Sequence, residues 1–332
     1  VTILTPRDEQ LTVPVHGYEQ EHDGVRVRVI KNGGDDPDVT HETPIECLIS
    51  LKTNVPATEV IIQGGRGVGR VTRPGLPIPV GEPAINPAPR AQIERTVRDL
   101  LDQKGITARV RVLVEVPQGE QLASKTLNPR LGIEGGISIL GTRGTVKPFS
   151  NEAYLATIDQ CLRSIRVMGE NRVGFTTGGR SERLLQALLP AWPGECFVTV
   201  ADFFEPSMAM AADQGVTHVV WGVFFGKLVK QALGLPSTHA KNAAIDFEVL
   251  ASWWGDLGLS PSIGEKIAQA NTALHVQEII RHDPDHGRYY ERLIRTARRH
   301  ALQFSSSRME VDYCLFDFNG DLLASTLKRK PS

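Results

Sequence analysis

A chain of 332 residues, 41% hydrophobic and 23% charged, has the balance of a globular protein and the length of two domains, each able to bury its own core. Its formal charge of −1 excludes the basic excess that non-specific nucleic-acid binding needs, and no apolar run reaches the length of a membrane span, the longest being VTHVVWGVFF. Cys47, Cys161, Cys196 and Cys314 lie far apart, with no CxxC pair and no histidine at ligand spacing, so reduced thiols are expected and no protein-bound metal.

The opening VTILTPRDEQ has neither the basic nor the apolar region of a secretory signal, and the cytoplasm is the expected compartment. Glycine (31) and proline (21) crowd into the first half, which should be rich in turns. Between those turns VRVRVI, ECLISLK, EVIIQ and ARVRVLVEV alternate apolar and polar residues, the pattern of half-buried strands. One helix, AQIERTVRDLLDQKG, follows NPAPR and stops at Gly105. Residues 1–148 therefore read as an α+β domain with a mixed or antiparallel sheet and few helices.

From about residue 150 the rhythm changes. YLATIDQCLRSIRVMG is helical, and VGFTT, CFVTVA and HVVWGVF are buried strands separated by the helices SERLLQALL and SMAMAADQG. That alternation is the signature of parallel βαβ units, so residues 149–332 read as an α/β domain. SIGEKIAQANTALHVQEII and RYYERLIRTARRHALQF continue it as helices. EVDYCLFDF, Asn319-Gly320 and DLLAST close the chain as two strands around a turn of the primed type.

Several segments carry enough chemistry to suggest a site. GGDDPDVTH places Asp35, Asp36, Asp38 and His41 on a stiff loop; it lacks the calcium and HExxH patterns, and reads either as an Asx-rich turn or as a source of an acid or base. GGRGVGRVTRPG sets Arg66, Arg70 and Arg73 among glycines, which suits a ligand with several carboxylates or phosphates; a glycine-rich hairpin with solvated arginines is the plainer alternative. GEPAINPAPR reads as a rigid extended connection rather than a core element, able to present Glu82 and Asn86. NPRLGIEGGISILGTRGTVKP, opening at Asn128, repeats the basic character with Arg130, Arg143 and Lys147. In TTGGRSE, Thr176, Thr177, Gly178 and Gly179 lead into a helix start that can face an anion or be only a turn, and Asp202 ends the next strand, where doubly wound folds grip a ribose. His218, His239 and His275 read as satisfied surface or core residues, and RLIRTARRH as a solvated helix face.

In order and spacing, GGDDPDVTH, GGRGVGRVTRPGLPIPVGEPAINPAPR, NPRLGIEGGISILGTRGTVKPFS, TTGGRSE and GKLVK with a following TH resemble the cobalt-precorrin-5B C(1)-methyltransferase family of anaerobic cobalamin biosynthesis, CbiD, over nearly the whole chain. The resemblance implies transfer of a methyl group from S-adenosylmethionine to C-1 of a cobalt-bearing tetrapyrrole, giving cobalt-precorrin-6A. It implies that Arg66, Arg70, Arg73, Arg130 and Arg143, with Glu82, Asn86 and Asn128, bind the macrocycle. Thr176, Thr177, Gly178, Gly179 and Asp202 would take the donor, and Asp35, Asp36, Asp38 and His41 would orient the ring or accept a proton. Cobalt arrives with the substrate.

Two departures from the family pattern stand out. Family members usually begin with Gly-Tyr-Thr-Thr-Gly-Thr-Cys and an alanine-rich helix, whereas this sequence opens at what reads as the following strand: either it is a piece of a longer chain or this member lacks a ligand-contacting element. After Thr238-His239 the family tends to a serine and then an Asp and an Arg, where Ala240, Ala244 and Asp246 stand here. Two other functions fit the residues, a nicotinamide-dependent oxidoreductase acting on a tetrapyrrole and a non-catalytic corrinoid-binding homologue.

Overall fold

The computed structural model describes residues 1–239 and 244–327, so Ala240 lies outside the described residues. The chain divides into two compact units, Val1–Asn151 and Glu152 onward, each mixing parallel and antiparallel strands.

In the first unit β1 (Thr2–Leu4) and β2 (Gln10–Thr12) form a short ladder ahead of the main sheet. That sheet is built from β3 (Gly17–Glu21), β4 (Gly24–Ile30), β5 (Pro44–Lys52), β6 (Glu59–Gly64) and, after three further elements, β9 (Arg109–Glu115). Its order is β3-β4-β5-β9-β6, antiparallel except for the β6–β9 pair. The two-residue alternation sorts its faces. Val110, Val112 and Val114 are buried on one side with Ile62 and with Leu101 of α1 (Pro87–Lys104). On the other, Arg26 pairs with Glu21, Glu46 and Glu115, and Arg28 with Glu46. An antiparallel sheet can leave one face to water, and here that face is paired charge.

Four two-residue strands make a second, smaller layer: β7 (Gly67–Val68), β8 (Arg70–Val71), β10 (Ile133–Glu134) and β11 (Gly136–Ile137). β8 runs antiparallel to β10 and β7 parallel to β11, with α2 (Gly119–Ala123) alongside. The proline-rich GEPAINPAPR is not merely a connection. Ala84 and Ile85 are core residues, 0% and 1% exposed, and Pro87–Arg90 are the first turn of α1, where proline presets φ and no N–H is needed.

The second unit begins one residue into α3 (Asn151–Val167) and continues with β12 (Arg172–Thr176), α4 (Gly179–Leu188), β13 (Phe197–Thr199), α5 (Phe204–Asp213), β14 (His218–Phe224) and α6 (Phe225–Ala232). It continues through α7 (Phe247–Gly255), α8 (Pro261–Ala268), α9 (Ala273–Ile280), α10 (His286–Phe304), β15 (Glu310–Phe316) and β16 (Leu322–Ser325). The sheet order is β13-β12-β14-β15-β16, parallel except for the last pair. Phe175, Trp221 and Tyr313 face the larger core, while Phe197, Val220 and Cys314 pack with Leu185 of α4 on the opposite face.

Two expectations change here. The run SIGEKIAQANTALHVQEII is two helices, because Thr272 accepts the N–H of His275 and starts α9 afresh. The final hairpin is not the tight primed turn. Asp317 Oδ1 accepts the N–H groups of Asn319, Gly320 and Asp321, each at 2.8 Å, and holds a wider loop in which only Gly320, not Asn319, has positive φ. Among the described residues no helix is long and apolar enough to cross a membrane.

Candidate functional site

The two glycine-rich stretches of the first unit, far apart in sequence, become neighbours: Arg70 is the ladder partner of Glu134, and Gly67 of Gly136. Their glycines serve close packing of backbone on backbone. A Cβ on Gly67, at φ +71°, would lie 1.9 Å from the Val116 carbonyl oxygen. The amides of this layer are consumed internally, Gly69 to Ile137, Val71 to Glu82 and Thr72 to Gly132, so glycine does not free them for a ligand.

The side chains differ among themselves. Arg66 and Arg70 are exposed, Arg70 donating to the Gly81 carbonyl at 2.8 Å. Arg73 lies with its stem against Gly132, and Arg130 and Arg143 are half-buried. Glu82 is exposed, and Asn86 caps α1 by position without a side-chain bond. Asn128 is 7% exposed; its amide reaches the Gly136 carbonyl at 3.4 Å and its oxygen accepts from Ser138, which makes it a brace of the layer.

The acidic loop separates into holders and presented groups. Asp38 accepts the N–H and hydroxyl of Thr40 at 2.8 and 2.7 Å and pairs with Lys31. Burial pushes its carboxyl upward, but the bonds from Lys31 and Thr40 outweigh this and hold it below the ordinary value. His41 accepts the Gly33 N–H at Nδ1, 3.0 Å, and Asp36 accepts that of Phe149 at 3.3 Å. Asp35 is exposed.

The second unit contains a cavity of about 650 Å³ at the carboxyl ends of its parallel strands. It lies where the chain, having run from β12 outward to β13, returns to β14 on the other side; open α/β sheets place ligands at such a switch point. Thr177 from the loop after β12, Phe224 at the end of β14, Gly226 and Lys227 from the first turn of α6, Lys230 from its last turn, Thr272 from the start of α9 and Phe318 from the final hairpin line it. Thr176 is buried, its hydroxyl 3.3 Å from that of Thr199, while the Thr177 N–H is taken by Ser181. Gly178 and the exposed Gly179 begin α4.

Asp202 follows β13 and is half-buried. Its Oδ1 accepts from Thr238 at 2.8 Å and from Lys227, leaving Oδ2 with no hydrogen bond among the described residues. Burial pushes this carboxyl up as well; Lys227 and Thr238 reverse the shift and keep it ionised below the ordinary aspartate value. Lys230 donates to the Thr238 carbonyl at 2.9 Å, and burial followed by the nearby Lys227 charge lowers its pKa.

A family model described as CbiD matches residues 1–148, and one described as the CbiD C-terminal domain matches residues 237–327. A cobalt-precorrin-5B C(1)-methyltransferase from Nitratidesulfovibrio vulgaris is 47% identical over 316 residues, 95% of this chain and 81% of that protein. The chain belongs to the CbiD family. A protein of the same name from a Geobacillus species is 40% identical over 98% of this chain and 88% of its own. A crystal structure of the cobalamin biosynthesis protein cbiD from Archaeoglobus fulgidus aligns at TM-score 0.34 and 21% identity, over 85% of this chain and 74% of that one, too loosely to bear on the fold.

In this CbiD chain the first family match contains both glycine-rich stretches and the acidic loop, and the second contains Thr238 and Phe318. The stretch between them holds β12 to β14 and both cavity lysines. Sequence reasoning assigned no role to Lys227, Lys230, Phe224 or Thr238. GKLVK directly after a buried strand was the available signal, because a helix opening there points its first lysine back toward the strand ends.

Proposed function

We propose that this CbiD chain is an S-adenosylmethionine-dependent methyltransferase that converts cobalt-precorrin-5B to cobalt-precorrin-6A by methylating C-1, in the cytoplasm, on the path to cobalamin. The observation that carries this reading is 47% identity over 95% of the chain to a protein named for that reaction. In finer detail, an α+β unit of residues 1–148 binds the macrocycle and an α/β unit of residues 149–332 binds the donor.

The cavity beside β12 and β14 supports the second assignment. Its volume falls in the range of pockets for small ligands, its Phe224 and Phe318 supply apolar surface for a purine, and none of its described lining residues is acidic. Thr177 lines it and leads into the Gly178–Gly179 helix start, and Asp202, bonded to the cavity's Lys227 and Thr238, is assigned the ribose hydroxyls through Oδ2. Bound S-adenosylmethionine supplies an electrophilic methyl group on a good leaving group, so the chain has to bind, align and exclude water rather than activate the donor.

The macrocycle carries many carboxylates, for which the guanidinium groups of Arg66 and Arg70 are exposed. Arg73, Arg130 and Arg143 complete the basic set, Glu82 and Asn86 contribute polar contacts at its edge, and Asn128 braces the layer from within. In the acidic loop, Asp38 keeps the loop in shape through Lys31 and Thr40, while Asp35, Asp36 and His41 orient the ring or accept its proton.

Anaerobic incubation with S-adenosylmethionine and cobalt-precorrin-5B tests the reading. Mass spectrometry should find a tetrapyrrole heavier by one methyl group and an equal amount of S-adenosylhomocysteine. Tight substrate binding without that product would instead leave a corrinoid-binding protein.

A further inference from the structure

The cavity of the second unit holds more positive charge than it neutralises. Lys227 is matched by Asp202, while Lys230 has no carboxylate within ion-pair distance among the described residues and spends one of its three ammonium hydrogens on the Thr238 carbonyl. None of the described lining residues is acidic. Thr238 ties the two lysines together, its carbonyl on Lys230 and its hydroxyl 3.3 Å from Lys227. At the wall, Phe224 and Phe318 stack with centroids 4.9 Å apart and planes at 20°. Phe318 is 52% exposed, and the Arg180 guanidinium, which donates to the Phe318 carbonyl, lies 5.9 and 5.6 Å from the two rings.

A partly buried ammonium with no carboxylate partner among the described residues, beside the exposed Phe318 ring, specifies a ligand with an anionic arm and a flat conjugated body. We propose that this cavity is a carboxylate site: Lys230 pairs with a carboxylate of a ligand whose ring system lies on the Phe224–Phe318 wall. The proposal rests on the methyltransferase reading, in which both the donor, through its amino-acid end, and the macrocycle, through its acid side chains, have this chemistry. Lys227 is excluded from the role because Asp202 and Thr238 already hold it. Pairing with a ligand carboxylate would offset the cost of holding the Lys230 ammonium charged where it is partly buried, and beside Lys227.

Isothermal titration calorimetry on the full chain and its Lys230→Gln and Lys230→Arg variants separates the two sources. The donor arm compares S-adenosylhomocysteine with 5′-methylthioadenosine, which lacks the amino-acid carboxylate. The macrocycle arm compares dicyanocobyrinic acid with the amidated dicyanocobinamide. Losing a charge-assisted bond should weaken the carboxylated ligand of one arm about ten- to one-hundred-fold in Lys230→Gln. Its carboxylate-free counterpart should be unaffected, and Lys230→Arg should retain most of the affinity. On the unmodified chain, rising salt should weaken the carboxylated ligand more than its counterpart, a readout that needs no variant. Unchanged affinity of both carboxylated ligands in Lys230→Gln, or equal salt dependence within each pair, overturns the proposal. An unmodified chain that binds no S-adenosylhomocysteine counts against the methyltransferase reading instead, and the macrocycle arm then decides the carboxylate site by itself.

Discussion

Asp202 illustrates how a residue singled out by sequence acquires partners that only the fold shows. Its position after the second parallel strand suggested a grip on ribose; the fold adds an ion pair with Lys227 and a bond from Thr238, both on Oδ1. Asp202→Asn should cost about 1–3 kcal/mol at neutral pH, because it leaves Lys227 uncompensated beside Lys230. The carboxyl is held below its ordinary value of 3.8, so its contribution is complete above that pH and disappears as pH falls through the lower value of the folded state. Urea unfolding at pH 7 and at about pH 3 should therefore show a gap between the two proteins that narrows in acid. An equal gap at both would mean that the pair does not stabilise the fold. Asn128 shows the converse: a polar residue in a basic stretch suggested recognition, but burial and three-dimensional partners make it a brace, and neither is written in neighbouring residues.

At the scale of elements, alternation and helical periodicity placed most strands and helices within a few residues, since both patterns are properties of contiguous sequence. Pairing between distant segments was not legible in the same way. The glycines of GGRGVGRVTRPG suggested amides offered to a ligand, whereas Gly67 is needed where its backbone meets that of Val116 and Gly119. Gly67→Ala should cost about 1–3 kcal/mol from left-handed backbone strain alone, with the clash adding to it. Gly178→Ala makes a control, since its φ of 173° is extended backbone and a Cβ there meets nothing within 4 Å. Thermal melts should show a large loss for the first and little change for the second. Comparable losses would mean that close packing is not what the glycine-rich layer requires. The division of α8 from α9 and the loop held by Asp317 were missed for a related reason: one side-chain cap outweighs a continuous apolar pattern.

Across the whole molecule, carboxylates held low by partners occur in both units: Asp38 and Glu115 in the first, Asp202 and Asp312 in the second. Burial pushes each of them up. In Glu115 the bonds from Arg26 and the Arg66 N–H outweigh it, and in Asp312 those from His218 and Thr326. Stability should thus be flat above the ordinary carboxylate range of 3.8 to 4.5 and decline as pH falls below it, which circular dichroism melts across an acid series would follow. A melting temperature unchanged down to about pH 2 would contradict the ionised state of these groups in the fold. Taken alone, the sequence determined the two-part organisation, most secondary elements and the family, because local periodicity and the order of unusual segments are carried by the linear chain. Only the tertiary structure decided that two glycine-rich stretches form one layer, that Asn128 and Asp38 are braces, and that Lys227, Lys230, Thr238 and the two phenylalanines surround one cavity. Those relations depend on which distant residues the sheets bring within hydrogen-bonding distance, and spacing along the chain does not encode them directly.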